Sequence, residues 1–514
     1  MPDAHAASQS RRVLGAIMFL QAACWILAPV LVARAIPLDI IENTLWGSEG
    51  VLVSYKNPAV TGLLLEVVRQ LTGSIGWPAY ALSQICIAAT LLMVYVLGRD
   101  IVGPTRSAVA AIALLACYYF NWRSPEFNHD ILQLPLWALV VLCFWRATNT
   151  GALFWWVLMG LASAASLYGK LSAAVLLVSC FLWLISERRA RASFWTLGPW
   201  VALTTFLLSV APLVIALTSD GMLQTIKEYA TGRGNKNAYS VPVWIALQAV
   251  MMAPIALIVW AGLCSPASPR LQRDGDEALA MSYGNRRYFL SFALFMTGVP
   301  IALAAGLAVL HGTGAKLLWG GPMLNLAGLI LVASTPRDIT AAGLRRAAAL
   351  TALIIVGTSV AYAGTHYLKP VLGRKPSRLN WPQDEIAQRM RSLWDAEIKA
   401  PLRIVAGEPD NWVSGMVALT GGPAASVFTE GQPKLSPWIT QDRLRREGAL
   451  VVWDVRDDSP SEKLWRLIGY RVQRFEEFTI PGSRPARVIR IGYAIIPPGE
   501  AVDFSALSAA EDPE

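Results

Sequence analysis

Two carboxylates one helical turn apart, Asp39 and Glu42, followed by Tyr55 and Lys56, are the first side chains in this 514-residue sequence whose spacing suggests chemistry. They belong to the stretch PLDIIENTLWGSEGVLVSYKNP, Pro37 to Pro58. A helix opening at Pro37, where a missing N–H costs nothing, puts Asp39, Glu42, Asn43 and Trp46 on one face and Leu38, Ile41 and Leu45 on another. Such a helix is expected to lie flat on a bilayer, apolar side down, with its carboxylates turned to the space above. A solvated acidic loop would have the same composition.

Three more groups join this one. NWRSPEFNHD supplies Arg123, Glu126, Asn128, His129 and Asp130; the turn Tyr168-Gly169-Lys170 supplies a phenol and an amine; HGTGAK ends in Lys316. Amines converging on carboxylates suit a phosphate-bearing substrate, because cations hold the phosphate while a carboxylate takes a proton from an attacking hydroxyl. Each residue also has an ordinary role. A lone lysine snorkels to the membrane interface, Asp130 opens an apolar run where helices are capped, and His129 is a packing histidine before it is a ligand. His311 and His366 are too scattered to complete a ligand set. No metal site and no cofactor is expected.

The elements that must position these groups are membrane spans. The chain is 54% hydrophobic and 15% charged, with a mean hydropathy of +0.44, a composition that excludes an ordinary soluble enzyme. Crossing ~30 Å of hydrocarbon takes about 20 apolar residues. Eleven such runs are expected, at 13–33, 78–98, 107–120, 132–147, 152–169, 171–185, 195–217, 241–263, 288–309, 317–333 and 347–363. The first is read as a retained anchor.

The net charge of +9 comes from basic residues in short loops. It is read as a topology signal and not as a nucleic-acid surface. Arg99, Arg106, Arg146, Arg188, Arg189, Arg191, Arg270, Arg273, Arg286, Arg287, Arg337, Arg345 and Arg346 fall on one side if the N-terminus is cytoplasmic. Fewer fall opposite, among them Lys56, Lys170, Lys227, Arg233, Lys236 and Lys316. All candidate site groups then share the outer face.

After Ser377 the texture changes. Helix-like and strand-like stretches alternate at 383–398, 402–406, 411–420, 449–453, 461–470, 472–479 and 485–495, which predicts a small α/β domain. The expected architecture is a multi-pass α-helical membrane module over 1–364, then an extramembrane α/β domain over 365–514 that ends in a frayed tail. The six cysteines show no paired spacing, so neither a disulfide framework nor zinc is indicated. GRGNK at 232–236 lacks the Gly-Lys-Ser/Thr ending and the preceding strand of a P-loop.

LDIIENTLWG, with YKNP following, resembles the first-loop signature of bacterial GT-C class membrane glycosyltransferases of the family 39 type. These include lipid A aminoarabinose transferases, rhizobial galacturonosyltransferases and protein O-mannosyltransferases. FNHDILQLPLW, GLASAASLYGKLSA, AKLLWGGPM, ALVVWD and SPWI resemble further motifs of such proteins.

The resemblance implies a sugar moved from a polyprenyl-phosphate donor to a hydroxyl or phosphate of an envelope glycolipid or protein. The transfer would take place at the periplasmic face of a bacterial inner membrane, with membrane lipids as the surroundings and no nucleic acid. It implies Asp39 as catalytic acid or base supported by Glu42, Asp130 as the second acidic position, and Lys170 at the lipid phosphate. Lys56 and Lys316 follow as basic positions, with Tyr55, His129 and Tyr168 beside the substrate. The chain departs from the pattern at Lys56-Asn57-Pro58-Ala59, where many relatives carry Lys-His-Pro-Pro; an imidazole is missing there. A flippase for lipid-linked sugars, or a non-catalytic scaffold whose outer domain binds an envelope component, would share much of this layout. A flippase would instead show charges near mid-span and paired broken helices.

Overall fold

The computed structural model describes residues 2–231, 238–264, 276–455, 460–471, 473–504 and 507. The stretch 232–236, the loop arginines Arg270 and Arg273, and nearly all of the predicted frayed tail lie outside the described residues, as do Arg233 and Lys236 within that stretch.

The N-terminal helices in chain order are α1 (Pro2–Val32), α2 (Leu38–Ser48), α3 (Val60–Thr72), α4 (Trp77–Val102), α5 (Pro104–Ala113), α6 (His129–Thr150), α7 (Leu153–Gly169) and α8 (Ala174–Ser186). They continue as α9 (Arg188–Arg191), α10 (Gly198–Thr218), α11 (Met222–Thr231), α12 (Val241–Leu263), α13 (Asp276–Leu310), α14 (Ala327–Ser334) and α15 (Ala341–Val371).

Seven of these, α1, α4, α6, α10, α12, α13 and α15, are long and apolar enough to cross a membrane. Two bent pairs raise the number to nine: Leu171–Ser186 with Arg188–Trp195, bent by 89°, and Leu317–Leu324 with Ala327–Ser334, bent by 50°. The runs predicted at 107–120 and 152–169 are the shorter apolar helices Pro104–Ala116 and Leu153–Gly169.

Local chemistry sets the helix boundaries. Pro104 opens α5 directly after Gly103, and α3 and α6 each end on a left-handed glycine, Gly73 and Gly151. Glycines also set how closely helices approach. A Cβ on Gly47 would stand 2.0 Å from the Gly62 carbonyl oxygen, and one on Gly62 would stand 2.3 Å from the Asn43 oxygen, so α2 and α3 touch backbone to backbone.

Two arginines expected in loops lie inside helices, Arg106 in α5 and Arg286 in α13, and do more than mark topology. Arg106, 7% exposed, donates to the Thr335 carbonyl at 2.6 Å, and Arg286 donates to that of Ala333 at 2.7 Å. Together they cap the carboxyl end of α14, where the helix dipole favours cations.

The tail folds as the α/β domain that its alternation predicts. Its elements are α16 (Gln383–Glu397), β1 (Ile404–Gly407), α17 (Trp412–Leu419), β2 (Ser426–Thr429), α18 (Gln441–Glu447), β3 (Ala449–Asp454), α19 (Glu462–Leu467), β4 (Arg474–Thr479) and β5 (Val488–Ile496). The sheet order is β2-β1-β3-β5-β4; the first three strands are parallel, and β5 runs antiparallel to both neighbours. The sequence showed no sign of β2. Its four residues, SVFT, are all buried, so no in–out alternation marks them.

The helix at the first loop forms where expected, but its setting differs. Residues Ile40 to Gly47 are all buried, so α2 does not rest on a lipid surface. Its apolar face meets the α/β domain: a Cβ on Gly415 of α17 would lie 2.3 Å from Ile41 Cγ2 and 3.2 Å from Leu45 Cδ1. An amphipathic pattern shows that a face is covered without saying what covers it, and here the cover is protein.

Candidate active site

α2 carries Asp39 and Glu42 beneath the α/β domain, and the chain returns through Val53–Pro58 to place Tyr55 and Lys56 opposite them. Lys56 forms an ion pair with Glu42, the two side chains being 14% and 6% exposed. Its ammonium lies over three rings, 6.0 Å from Trp46, 5.5 Å from Tyr55 and 5.2 Å from Tyr229. Burial pushes the Glu42 carboxyl up to about 7 against the opposing charge of Lys56. Burial works against the Lys56 charge, yet the Glu42 carboxylate and the two phenols hold its ammonium well above the usual lysine range.

The Tyr55 hydroxyl donates to Pro409 O at 3.4 Å, and Asn411 Nδ2 donates back to it at 3.4 Å, which joins the box to the α/β domain. His129 Nε2 lies 3.1 Å from Pro58 O, with its ring 6.3 Å from Trp46. It ties the first loop to α6.

The second acid is placed by the start of α6. The capping residue is Asn128, whose Oδ1 accepts the N–H groups of Asp130 and Ile131 at 3.0 and 3.1 Å. Asp130 is therefore not consumed by capping, and it receives Lys170 Nζ at 2.6 Å. The other end of the Asn128 amide donates to Asp39 Oδ2 at 2.8 Å. Arg123 pairs with Glu126 at 2.7 Å and lies within electrostatic reach of both Asp39 and Asp130. Burial raises the Glu126 carboxyl above its ordinary range.

Lys316 comes from the turn before the bent pair. Its carbonyl accepts Trp244 Nε1 at 2.9 Å, and the turn that follows is held by the Tyr119 hydroxyl, 2.9 Å from Leu317 O and 2.7 Å from Gln248 Oε1. Burial, then the Lys170 ammonium, lower Lys316 below the usual lysine range, while Asp130 and Asp39 pull the other way. Among the described residues no carboxylate stands within ion-pair distance of Lys316, whereas Lys56 and Lys170 each have one. A small cavity lined by Tyr119, Arg123, Asn128, Asp130, Leu318 and Gly321 opens at this point.

Of the candidate residues, Asp39, Glu42, Tyr55, Lys56, His129, Asp130, Lys170 and Lys316 thus gather at one end of α6 and α7. Tyr168 turns elsewhere. Its hydroxyl donates to Ser209 O at 3.1 Å, so it packs α7 on α10. Three further residues join the site: Arg123 and Asn128, named from the sequence without an assigned role, and Tyr229, which was not named. The first two lie in the NWRSPEFNHD loop, whose polarity is visible; Tyr229 arrives from α11 with no local signal. Among the described residues no group of three or more His, Cys, Asp or Glu side chains converges as a metal site.

The structure of ArnT from Cupriavidus metallidurans bound to undecaprenyl phosphate superposes with a TM-score of 0.59, covering 93% of this chain and 98% of that one at 11% sequence identity. The chain shares the fold of ArnT. The same protein in its apo state gives a TM-score of 0.51 at 12% identity, covering 93% of this chain and 97% of that one. A family model described as dolichyl-phosphate-mannose-protein mannosyltransferase matches residues 56–215, which reach from Lys56 through Lys170. No curated protein matches the chain.

Proposed function

We propose that the chain transfers a sugar from a polyprenyl-phosphate donor to a hydroxyl or phosphate of an envelope glycolipid or protein at the periplasmic face of a bacterial inner membrane. The N-terminus is then cytoplasmic, all eleven apolar runs cross, and the division falls between a membrane module, 1–364, and a periplasmic domain, 365–514. The observation that carries this reading is the charge arrangement. Lys316, which has no carboxylate partner among the described residues, is within electrostatic reach of Lys170, Asp130, Lys56 and Asp39, so an anion entering there meets one uncommitted amine and a second that Asp130 holds in place. The undecaprenyl phosphate in the ArnT structure is an anion of this class.

In the proposed step the acceptor oxygen attacks the anomeric carbon as the bond from that carbon to the phosphate oxygen breaks. The acceptor proton passes to the Asp39 carboxylate, and the electron pair of the broken bond stays on the phosphate, neutralised by Lys316 and Lys170. A single displacement inverts the anomeric centre. Glu42 and Lys56 form a buried pair that fixes α2 against the first loop; they stand beside the reaction and do not take part in the proton transfer.

The test supplies purified protein in lipid nanodiscs with undecaprenyl-phosphate-linked 14C-glucose, mannose, galacturonate and 4-amino-4-deoxyarabinose, together with an envelope extract. Wild type should transfer label from one donor, and Asp39→Asn should lose about 100-fold or more, as expected for removal of a general base. Undiminished transfer by Asp39→Asn with normal insertion would remove Asp39 from this role.

A further inference from the structure

We propose that Asn128 is a positioning residue that aims Asp39, an inference that rests on the role of Asp39 given above. One amide does two jobs. Its oxygen is fixed by two backbone N–H groups at the start of α6, at 3.0 and 3.1 Å. With the oxygen fixed, the amide plane has one remaining direction for its NH2, and that NH2 lies 2.8 Å from Asp39 Oδ2.

Asn128 is 5% exposed, so no water competes strongly for the bond, and an N–H donated to a carboxylate is a short, directional contact. Asp39 is additionally held from its own helix, where Asn43 Nδ2 donates to the Asp39 carbonyl at 2.7 Å. The charged and titratable groups facing this carboxylate are Arg123 and Glu126 from the loop before α6, His129 and Asp130 from α6, Lys316 from the turn before the bent pair, and Glu42 from α2 itself. Of these neighbours, Asn128 is the neutral donor whose removal leaves the charge balance unchanged. The first turn of α6 thus sets the direction of the base, and it does so through a residue that resembles an ordinary cap.

Capping and positioning can be separated because aspartate and serine cap as well as asparagine, yet neither presents an NH2. Asn128→Asp and Asn128→Ser therefore keep α6, and Asn128→Ala removes both functions and serves as the folding control. The first readout needs no substrate. Dicyclohexylcarbodiimide adds to protonated carboxyl groups in membranes, and peptide mass spectrometry reports modification at Asp39 as pH is varied. In Asn128→Ser and Asn128→Asp the extent of Asp39 modification at a given pH should rise about 3-fold or more, because the carboxyl oxygen has then lost its N–H partner. The thermal midpoint should stay near the wild-type value in Asn128→Ser and fall in Asn128→Asp, which sets a second buried carboxylate against Asp39.

The second readout is transfer from the four labelled donors named above. Both variants should fall about 10-fold or more. Wild-type Asp39 modification curves in both variants would overturn the proposal. A shifted curve in a protein whose wild type uses none of the donors would support positioning and overturn the transfer reading, so the two failures are distinct.

Discussion

Replacing Lys170 by methionine leaves Asp130 as a charge without its partner in a site where both side chains are mostly covered, 15% and 22% exposed. At 2.6 Å the gross attraction is about 6 kcal/mol for an effective dielectric of ~20. Desolvation of both groups and residual contact with water offset most of it, leaving roughly 2 kcal/mol that Lys170→Met should remove. Lys170→Met combined with Asp130→Asn removes both charges and should recover most of that stability, giving a coupling energy of about 2 kcal/mol in the double-mutant cycle.

Activity should behave differently. If Lys170 neutralises the departing phosphate, the double variant stays as inactive as the single one, because its fold is repaired while its cation is still missing. Intrinsic tryptophan fluorescence in detergent with graded denaturant reports the first quantity, and turnover of lipid-linked label reports the second. A double variant that regains transfer along with stability would refute the assignment of Lys170 to phosphate and reduce the pair to a structural clip.

Burial raises the Glu42 carboxyl from the usual 4.5 to about 7. A raised acid contributes stability that is fully present below about pH 4.5 and is lost as pH rises through about 7, so Glu42→Gln should flatten the stability profile across that window; an unchanged slope in pH-dependent unfolding would count against it. A valine at Gly415 would push into Ile41 and Leu45. About 1–3 kcal/mol of overpacking is expected there, and the α/β domain should loosen from α2, which would appear as faster tryptic release of that domain with the membrane helices intact.

Much of the site was legible because chemistry leaves polar residues where apolar ones would be cheaper. Asp39, Lys56, Asp130, Lys170 and Lys316 stand out at the ends of runs that otherwise avoid charge. Helical spacing was enough to place Asp39 and Glu42 together, and the alternation of the tail was enough for the sheet domain. Asn128 was visible only as a loop residue, since a cap and a positioning amide share one residue type. Tyr229 depends on where α11 lands, a long-range fact with no local periodicity. The cover over α2 was unreadable for a similar reason: Ile41 and Leu45 have the same spacing whether lipid or Gly415 lies against them.

That contact between α17 and α2 bears on how the protein can be re-engineered. The α/β domain rests on the helix that carries Asp39, with Asn411 and Pro409 reaching down to Tyr55, so it cannot be exchanged as an independent cassette. A chimera that borrows a different outer domain to change the acceptor will need the matching α2 and first loop from the same donor chain, with the seam placed after Pro58 as well as before α16.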